Sequence, residues 1–189
     1  GFFPLEDTPG HPAFVFKKEN EGIETFLKTN FEPALEEYNI NNNKTDLALA
    51  SKSLSKISEH YKRKENLFFP LLEREGVTAP PKVMWGVDDE IRESIGKLNE
   101  MIETGSKDSI VELGTKVMAD VRSMISKEDN ILMPMMLEKF TTEDWLLIAH
   151  DSGEIGYVFT GGIEGASPSD AVTWYQAQTG DQTNVIPET

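Results

Sequence analysis

Apolar side chains recur with the 3.6-residue period of an α-helix through most of the first 157 residues, and no stretch shows the alternation typical of a β-strand. The periodic stretches are separated by helix-ending residues: three asparagines at 41–43, Gly76 followed by two prolines, and Gly105. Long amphipathic helices with short connections bury their apolar faces against one another. The sequence therefore predicts an all-α, up-down four-helix bundle within a domain of residues 1–158.

The C-terminal part of the chain departs from this pattern. A short additional helix is predicted after Thr141 and Asp144, which have the spacing of a capping box. Residues 159–189 are acidic and rich in Gly, Ser and Thr, which predicts an irregular tail or linker. Four residues of this tail are apolar enough to dock elsewhere on the protein: Trp174, Tyr175, Val185 and Ile186.

The charge balance limits the partners that the protein can have. The chain has 18 Lys and Arg residues against 33 Asp and Glu, a net charge of −15, of which −8 lies in the last 50 residues. This surplus repels nucleic-acid phosphates and anionic lipids. The absence of cysteine excludes disulfides, thiolate metal sites and cysteine nucleophiles. No membrane span or signal peptide is recognisable, so we expect a cytoplasmic location with neither nucleic-acid nor membrane partners.

Two late-helix segments repeat each other at an offset of 64 residues. Residues 66–70 (NLFFP) match residues 130–134 (NILMP). Because proline is rare inside helices, the matched prolines favour a duplicated helical hairpin, although similar amphipathic composition is the alternative. A duplication would place a site built from both halves at the bundle centre.

Several polar residues fall on apolar helix faces. Asp88 lies between Met84 and Ile91 on the third helix, and Glu128 lies on the corresponding face of the fourth. A buried carboxylate is costly unless it is paired or metal-bound. Together with histidines they would form a divalent-metal site at the centre. The candidate ligands are His11, His60, Glu65, Asp88 and Glu128.

Each main candidate also has a purely structural explanation, and both interpretations are open at this point. Asp88 and His11 can be explained as helix caps, and His60 as a core histidine with hydrogen-bond partners. Glu128 can be explained as a member of an ion pair with Lys64 or Arg63.

Four stretches together resemble the hemerythrin-like (HHE cation-binding) superfamily. They are residues 10–12 (GHP), 60–70 (HYKRKENLFFP), 82–92 (KVMWGVDDEIR) and 127–134 (KEDNILMP). The resemblance covers about residues 9–158 and is strongest to the bacterial branch in which this bundle precedes a PAS sensor domain. It implies a metal centre between the helices, a role in sensing oxygen, nitric oxide, iron or redox state, and a downstream sensor domain in the full-length protein.

The sequence departs from the family pattern at the positions that matter for metal. A di-iron hemerythrin centre uses several histidines and a His-x-x-x-Glu motif in helices 2 and 4. Here Lys64 stands four residues after His60, and Met124 stands four residues before Glu128. With only three histidines in the chain, the resemblance implies a reduced site for one iron, zinc or manganese ion. Its ligands would be His11, His60, Asp88 and Glu128, with Glu65 as a weaker fifth.

Three functional hypotheses follow, and none is enzymatic because the sequence shows no catalytic motif. The first is a metal-binding sensory or regulatory input module of a larger bacterial protein, which binds a small ligand or metal ion and can form a homodimer. The second is a metal-free, degenerate bundle that acts as an interaction or dimerisation scaffold. The third is a haem-binding bundle with His60 or His11 opposed by Met124.

The chain opens on Gly1 rather than Met, which is expected of a segment of a longer protein.

Overall fold

The computed structural model describes residues 3–160 and 169–180, and every regular element within them is helical. This confirms the all-α prediction. A 3-10 turn at Leu5–Asp7 precedes four long helical stretches and two shorter helices. None of the described helices is both long enough and apolar enough to cross a membrane.

The helices have the following bounds. The first stretch contains α1 (Pro12–Phe26), a π-helical turn π1 (Leu27–Phe31) and α2 (Glu32–Asn41). The second contains α3 (Lys44–Leu54), α4 (Ile57–Arg63), the π-helical turn π2 (Lys64–Phe68) and α5 (Phe69–Arg74). The third is α6 (Ala79–Thr104), and the fourth contains α7 (Lys107–Lys127), the π-helical turn π3 (Glu128–Leu132) and α8 (Met133–Lys139). The shorter helices are α9 (Thr142–Ile155) and α10 (Ser169–Thr179).

Local chemistry accounts for the main helix boundaries. The His11 side chain caps α1 by accepting a hydrogen bond from the Ala13 N–H, and Pro12 occupies the first helical position. Asn42 ends α2 in the left-handed conformation, at φ 61°. The predicted capping box is confirmed: Thr141 and Asp144 exchange side-chain to backbone hydrogen bonds at the start of α9.

Each π-helical turn of the described residues ends two residues before a proline, at Pro33, Pro70 or Pro134. Proline lacks an N–H and its ring clashes with the carbonyl one turn earlier, so the helix widens for one turn and then continues. The sequence predicts a bend or interruption at Pro33, whereas the chain stays helical through π1. The 64-residue repeat also holds for the backbone, because π2 and π3 begin at equivalent positions.

The long stretches pack side by side around one apolar core. The second packs on the first through α2 and α3, the third on the second through α3 and α6, and the fourth on the third through α6 and α7. The first and fourth stretches also meet, through α2 and α7. This arrangement encloses the core and places the polar side chains of α1, α4 and α6 at the centre.

The structure corrects the sequence-based description of the C-terminal part. The sequence pattern favours a fifth helix that continues through residues 143–159, but α9 ends before Gly156, which has a φ of 111°. Residues 169–179 form α10 rather than irregular tail, and the predicted docking of Tyr175 is confirmed because it is buried beside α1 and α9. Trp174 packs against the same region, while Val185 and Ile186 lie outside the described residues.

Candidate functional site

A group of buried ionisable side chains lies at the bundle centre. They come from α1, α4, π2, α6 and π3, and each has at most 2% of its surface exposed. Burial of so many charges requires each one to have an opposite partner. We refer to this group as the charged centre: Glu19, His60, Arg63, Lys64, Asp88 and Glu128.

Lys64 joins the two inward carboxylates that the sequence identifies. Its Nζ lies 2.7 Å from Asp88 Oδ1 and 2.7 Å from Glu128 Oε2, with all three side chains fully buried. The ammonium also lies 4.4 Å from the centroid of the Tyr61 ring. Lys64 and Glu128 are the first residues of π2 and π3, so the repeat places them opposite each other. The alternative in which Glu128 pairs with Lys64 is thus the observed arrangement.

His60 uses both ring nitrogens within the charged centre. Its Nδ1 lies 2.9 Å from Glu19 Oε1, and its Nε2 lies 2.8 Å from Glu128 Oε1. The ring also stacks on Phe16, with centroids 4.0 Å apart. A protonated imidazole donates to both carboxylates, whereas a neutral one donates to one of them. His60 therefore bridges two acids as a hydrogen-bonded core histidine.

Glu19 extends the charged centre toward the C-terminal part of the chain. Arg63 donates to both of its carboxylate oxygens, with Nη1 at 2.6 Å from Oε2. The backbone N–H of Val158 donates to the same Oε2 at 2.7 Å. Arg63 Nη1 also donates to the carbonyl of Gly156 at 3.1 Å. The segment that follows α9 is thus part of the same hydrogen-bond network.

Burial and charge act in opposite directions on the acids of the charged centre. Burial alone would raise the pKa of Glu128, but Lys64 and His60 outweigh it and lower that pKa to about 2. For Asp88 burial dominates over Lys64, and with the help of Glu128 it raises the pKa to about 8. Burial opposes the charged form of His60, but Glu128 and Glu19 overcome this and raise its pKa.

The three acids of the charged centre face the basic side chains of Arg63 and Lys64. One further proton in the centre balances the remaining negative charge. That proton resides on His60 or on Asp88, the two groups whose pKa is raised. Loss of the proton would leave a net negative charge in a buried environment, which is unfavourable.

The other two predicted ligands have different partners. Glu65 accepts two hydrogen bonds of 2.8 Å from the guanidinium of Arg92. The His11 ring packs against Trp145 and Trp174, with centroids 4.7 and 4.9 Å apart, and burial lowers its pKa to about 4. His11 therefore acts as a helix cap among aromatic rings.

The residues at the centre do not fit a bound metal ion. Within the described residues, no group of three or more His, Asp or Glu side chains is arranged to hold one. The direct reason is the ammonium of Lys64, a cation that already lies between the carboxylates of Asp88 and Glu128. Haem ligation is disfavoured as well, because both nitrogens of His60 have carboxylate partners.

Glu19 is the member of the charged centre that the sequence prediction missed. The signal was present, since Glu19 lies three residues after Phe16 and four before Ile23 on the apolar stripe of α1. The sequence suggests Arg63 as a partner for Glu128, whereas its carboxylate partner is Glu19. That choice depends on how α1 and α4 face each other, which periodicity does not report.

The fold and site define a class of helical bundle with a buried charged centre. The family model described as the hemerythrin HHE cation binding domain matches residues 11–136, more than half of the chain. The chain therefore belongs to the hemerythrin HHE cation-binding domain family, which confirms the resemblance found in the sequence. The match ends within α8, so α9 and α10 lie beyond it. A search of curated proteins finds no significant match.

Proposed function

We propose that this chain is an up-down four-helix member of the family that works without a resident metal, as a regulatory or interaction module of a longer protein. The observation that supports this best is the contact of Lys64 with Asp88 and Glu128 at 2.7 Å. In a cation-binding family, the cation between these carboxylates is here a side chain of the protein itself. The charged centre then has a structural role.

The sequence repeat explains how one residue can replace a metal. Two equivalent acidic positions facing each other would need a bound cation to offset their repulsion. Here the equivalent positions hold Lys64 and Glu128, which neutralise each other. One further proton, on His60 or on Asp88, completes the balance. The centre is therefore electrically complete without an ion from solution.

A regulatory or interaction role follows from the sealed centre. Sensing of oxygen or nitric oxide by a metal requires an open coordination position, and the fully buried side chains of the charged centre offer none. Functional contacts must then involve the outer faces of the helices and the segment after α9. Single exposed apolar side chains, Val83 and Trp85 of α6 among them, lie on these outer faces.

Metal loading tests this proposal directly. The purified chain, stripped with a chelator and then incubated with Fe²⁺, Zn²⁺ or Mn²⁺, should retain far less than one ion per chain after desalting. Its melting temperature should not change. One tightly held ion per chain, with a rise in melting temperature, would contradict the proposal, because a ligand at 100 times its Kd stabilises by about 2.7 kcal/mol.

The Lys64→Glu variant provides the sensitivity control. It removes the internal cation and gathers three carboxylates around His60, so it should melt at a lower temperature without metal and regain stability when a divalent ion is added. Lys116→Glu is the matched control, since Lys116 is exposed on α7. It should show no metal response. If the unmodified chain responds to metal as Lys64→Glu does, the proposed role of Lys64 is wrong.

A further inference from the structure

Residues 156–159, which follow α9, close one side of the charged centre. Residues 156–159 follow the last turn of α9 without helical structure. The Gly156 carbonyl accepts from Arg63, and the Val158 N–H donates to Glu19, in a fully buried position for both side chains. A backbone segment thus supplies partners to ions at the bundle centre.

The same segment crosses α1 at a glycine. A Cβ at Gly22 would lie 1.8 Å from the carbonyl oxygen of Phe159, so only glycine permits this approach. Glycine inside a helix costs about 1 kcal/mol relative to alanine, and the close crossing explains its presence there. Phe159 itself has a φ of 60° and packs against Phe26, with ring centroids 5.4 Å apart.

Helix α10 provides a second point of attachment. A Cβ at Gly10 would lie 2.0 Å from the carbonyl oxygen of Asp170 at the start of α10. Further along, Ala171 and Tyr175 pack in an apolar groove that includes Val15 of α1 and Ala149 of α9. The contact is small, and it lies outside the main core of the bundle.

We propose that residues 156–159 together with α10 form a releasable strap whose docking is coupled to the arrangement of the charged centre. This inference rests on the proposed metal-independent centre. The coupling runs through a continuous series of contacts from the Val158 N–H to Glu19, His60, Glu128 and Lys64. Loss of the Val158 N–H at one end of this series, or of a charge at the other end, changes the hydrogen-bond partners of the neighbouring side chain in the series.

Release of the strap is compatible with an intact bundle. Glu19 would lose the Val158 N–H but keep Arg63 and His60. Arg63 would lose the Gly156 carbonyl and the Tyr157 ring, the centroid of which lies 4.7 Å from the guanidinium carbon, but would keep Glu19. The ion pairs of Lys64 lie away from the strap and would remain. The strap is therefore expected to open at lower free energy than the whole bundle, and coupling between strap and centre must act in both directions.

The Gly22→Ala variant tests docking, with Gly96→Ala as the matched control. Both are glycines inside helices, but a Cβ at Gly96 meets nothing within 4 Å. In the full chain, Gly22→Ala should speed amide exchange of residues 157–160 and 169–179 by roughly tenfold or more, because a buried hydrogen bond to a charged group is lost. Gly96→Ala should leave that exchange unchanged. Equal protection of the strap in both variants would overturn the proposal.

Coupling is tested from both ends. In Gly22→Ala, the side-chain NMR signals of His60 should shift, whereas in the matched control Gly96→Ala they should stay in place. Conversely, Glu128→Gln should speed exchange of the Val158 amide more than a remote core variant, Ile102→Val, after both are normalised to their global unfolding free energy. A released strap with unchanged His60 signals, or equal effects of the two substitutions, would refute the coupling and leave the metal-loading result unaffected.

Discussion

Lys64 is the residue on which the charged centre depends most, because it partners two buried carboxylates. Lys64→Met keeps a long apolar stem but leaves Asp88 and Glu128 without their shared cation. Removing one partner of a buried ion pair costs about 3–5 kcal/mol. Urea unfolding should show a loss of this size, whereas Lys116→Met, which removes an exposed pair with Asp120, should change stability little. Similar small effects of both substitutions would show that the buried pairs contribute little.

The pKa shifts of Asp88 and His60 predict that stability falls as the pH rises from their ordinary pKa values to the raised values of the folded protein. The pKa of Asp88 is raised to about 8 in the folded protein, and that of His60 is also raised. The native state then binds more protons than the unfolded state, so stability is full at lower pH and is lost as the pH rises through these folded values. Glu128, with its pKa lowered to about 2, and His11, with its pKa lowered to about 4, cause the opposite loss on the acid side.

Urea titrations at pH 6.5 and 8.5 measure the alkaline loss. In Asp88→Asn the side chain no longer titrates, so the difference in unfolding free energy between the two pH values should shrink. An unchanged difference would mean that Asp88 does not hold the proton in the native state.

For individual residues, the sequence predicted which side chains are buried better than it predicted the contacts between those side chains. Helical periodicity correctly placed Asp88 and Glu128 inside, and the same rule applies to Glu19. It could not decide between a metal ion and Lys64 as their partner. That choice depends on the distance between π2 and π3, which is a property of the packed helices.

The 64-residue repeat predicts that one charge reversal in π2 can be compensated by the opposite charge reversal in π3. Lys64 and Glu128 occupy equivalent positions at the start of π2 and π3, so exchanging them preserves one positive and one negative charge. Each single substitution, Lys64→Glu or Glu128→Lys, places like charges together. The double variant should recover part of the loss, with a coupling energy of about 1–3 kcal/mol in a double-mutant cycle.

Measurement in the presence of a chelator keeps metal binding from contributing to this cycle. Glu138→Lys, an exposed charge reversal on α8, combined with Lys64→Glu should give additive effects. Additivity in the Lys64 and Glu128 cycle would contradict the symmetric arrangement.

The helices themselves were predictable where a local residue ends them. Asn42, Gly76 and Thr141 mark boundaries that the sequence shows directly. The interruption between α3 and α4 and the three π-helical turns of the described residues were missed, because they depend on packing around the prolines. Helix α10 was missed because its residues gain helical structure by docking in the groove, which a local pattern does not report.

Across the whole molecule, the interior and the surface follow different electrostatic rules. The charged centre is nearly neutral and fully buried, so almost all of the net charge of −15 lies outside it. Exposed acids such as Glu93, Glu100 and Glu103 lie along α6. Their mutual repulsion opposes the compact state and is screened by salt, whereas the buried pairs are screened much less.

Sodium chloride should therefore stabilise this protein. Raising its concentration from low ionic strength to physiological values or above should increase the melting temperature by about 2–4 °C, the shift expected for roughly 1 kcal/mol in a chain of this size. Calorimetry of the triple variant Glu93→Gln, Glu100→Gln, Glu103→Gln should show a higher starting melting temperature and a weaker salt response, since less repulsion remains to be screened. A melting temperature that falls with salt would instead mean that exposed ion pairs, such as those of Arg122 with Glu24 and Glu32, outweigh the surface repulsion.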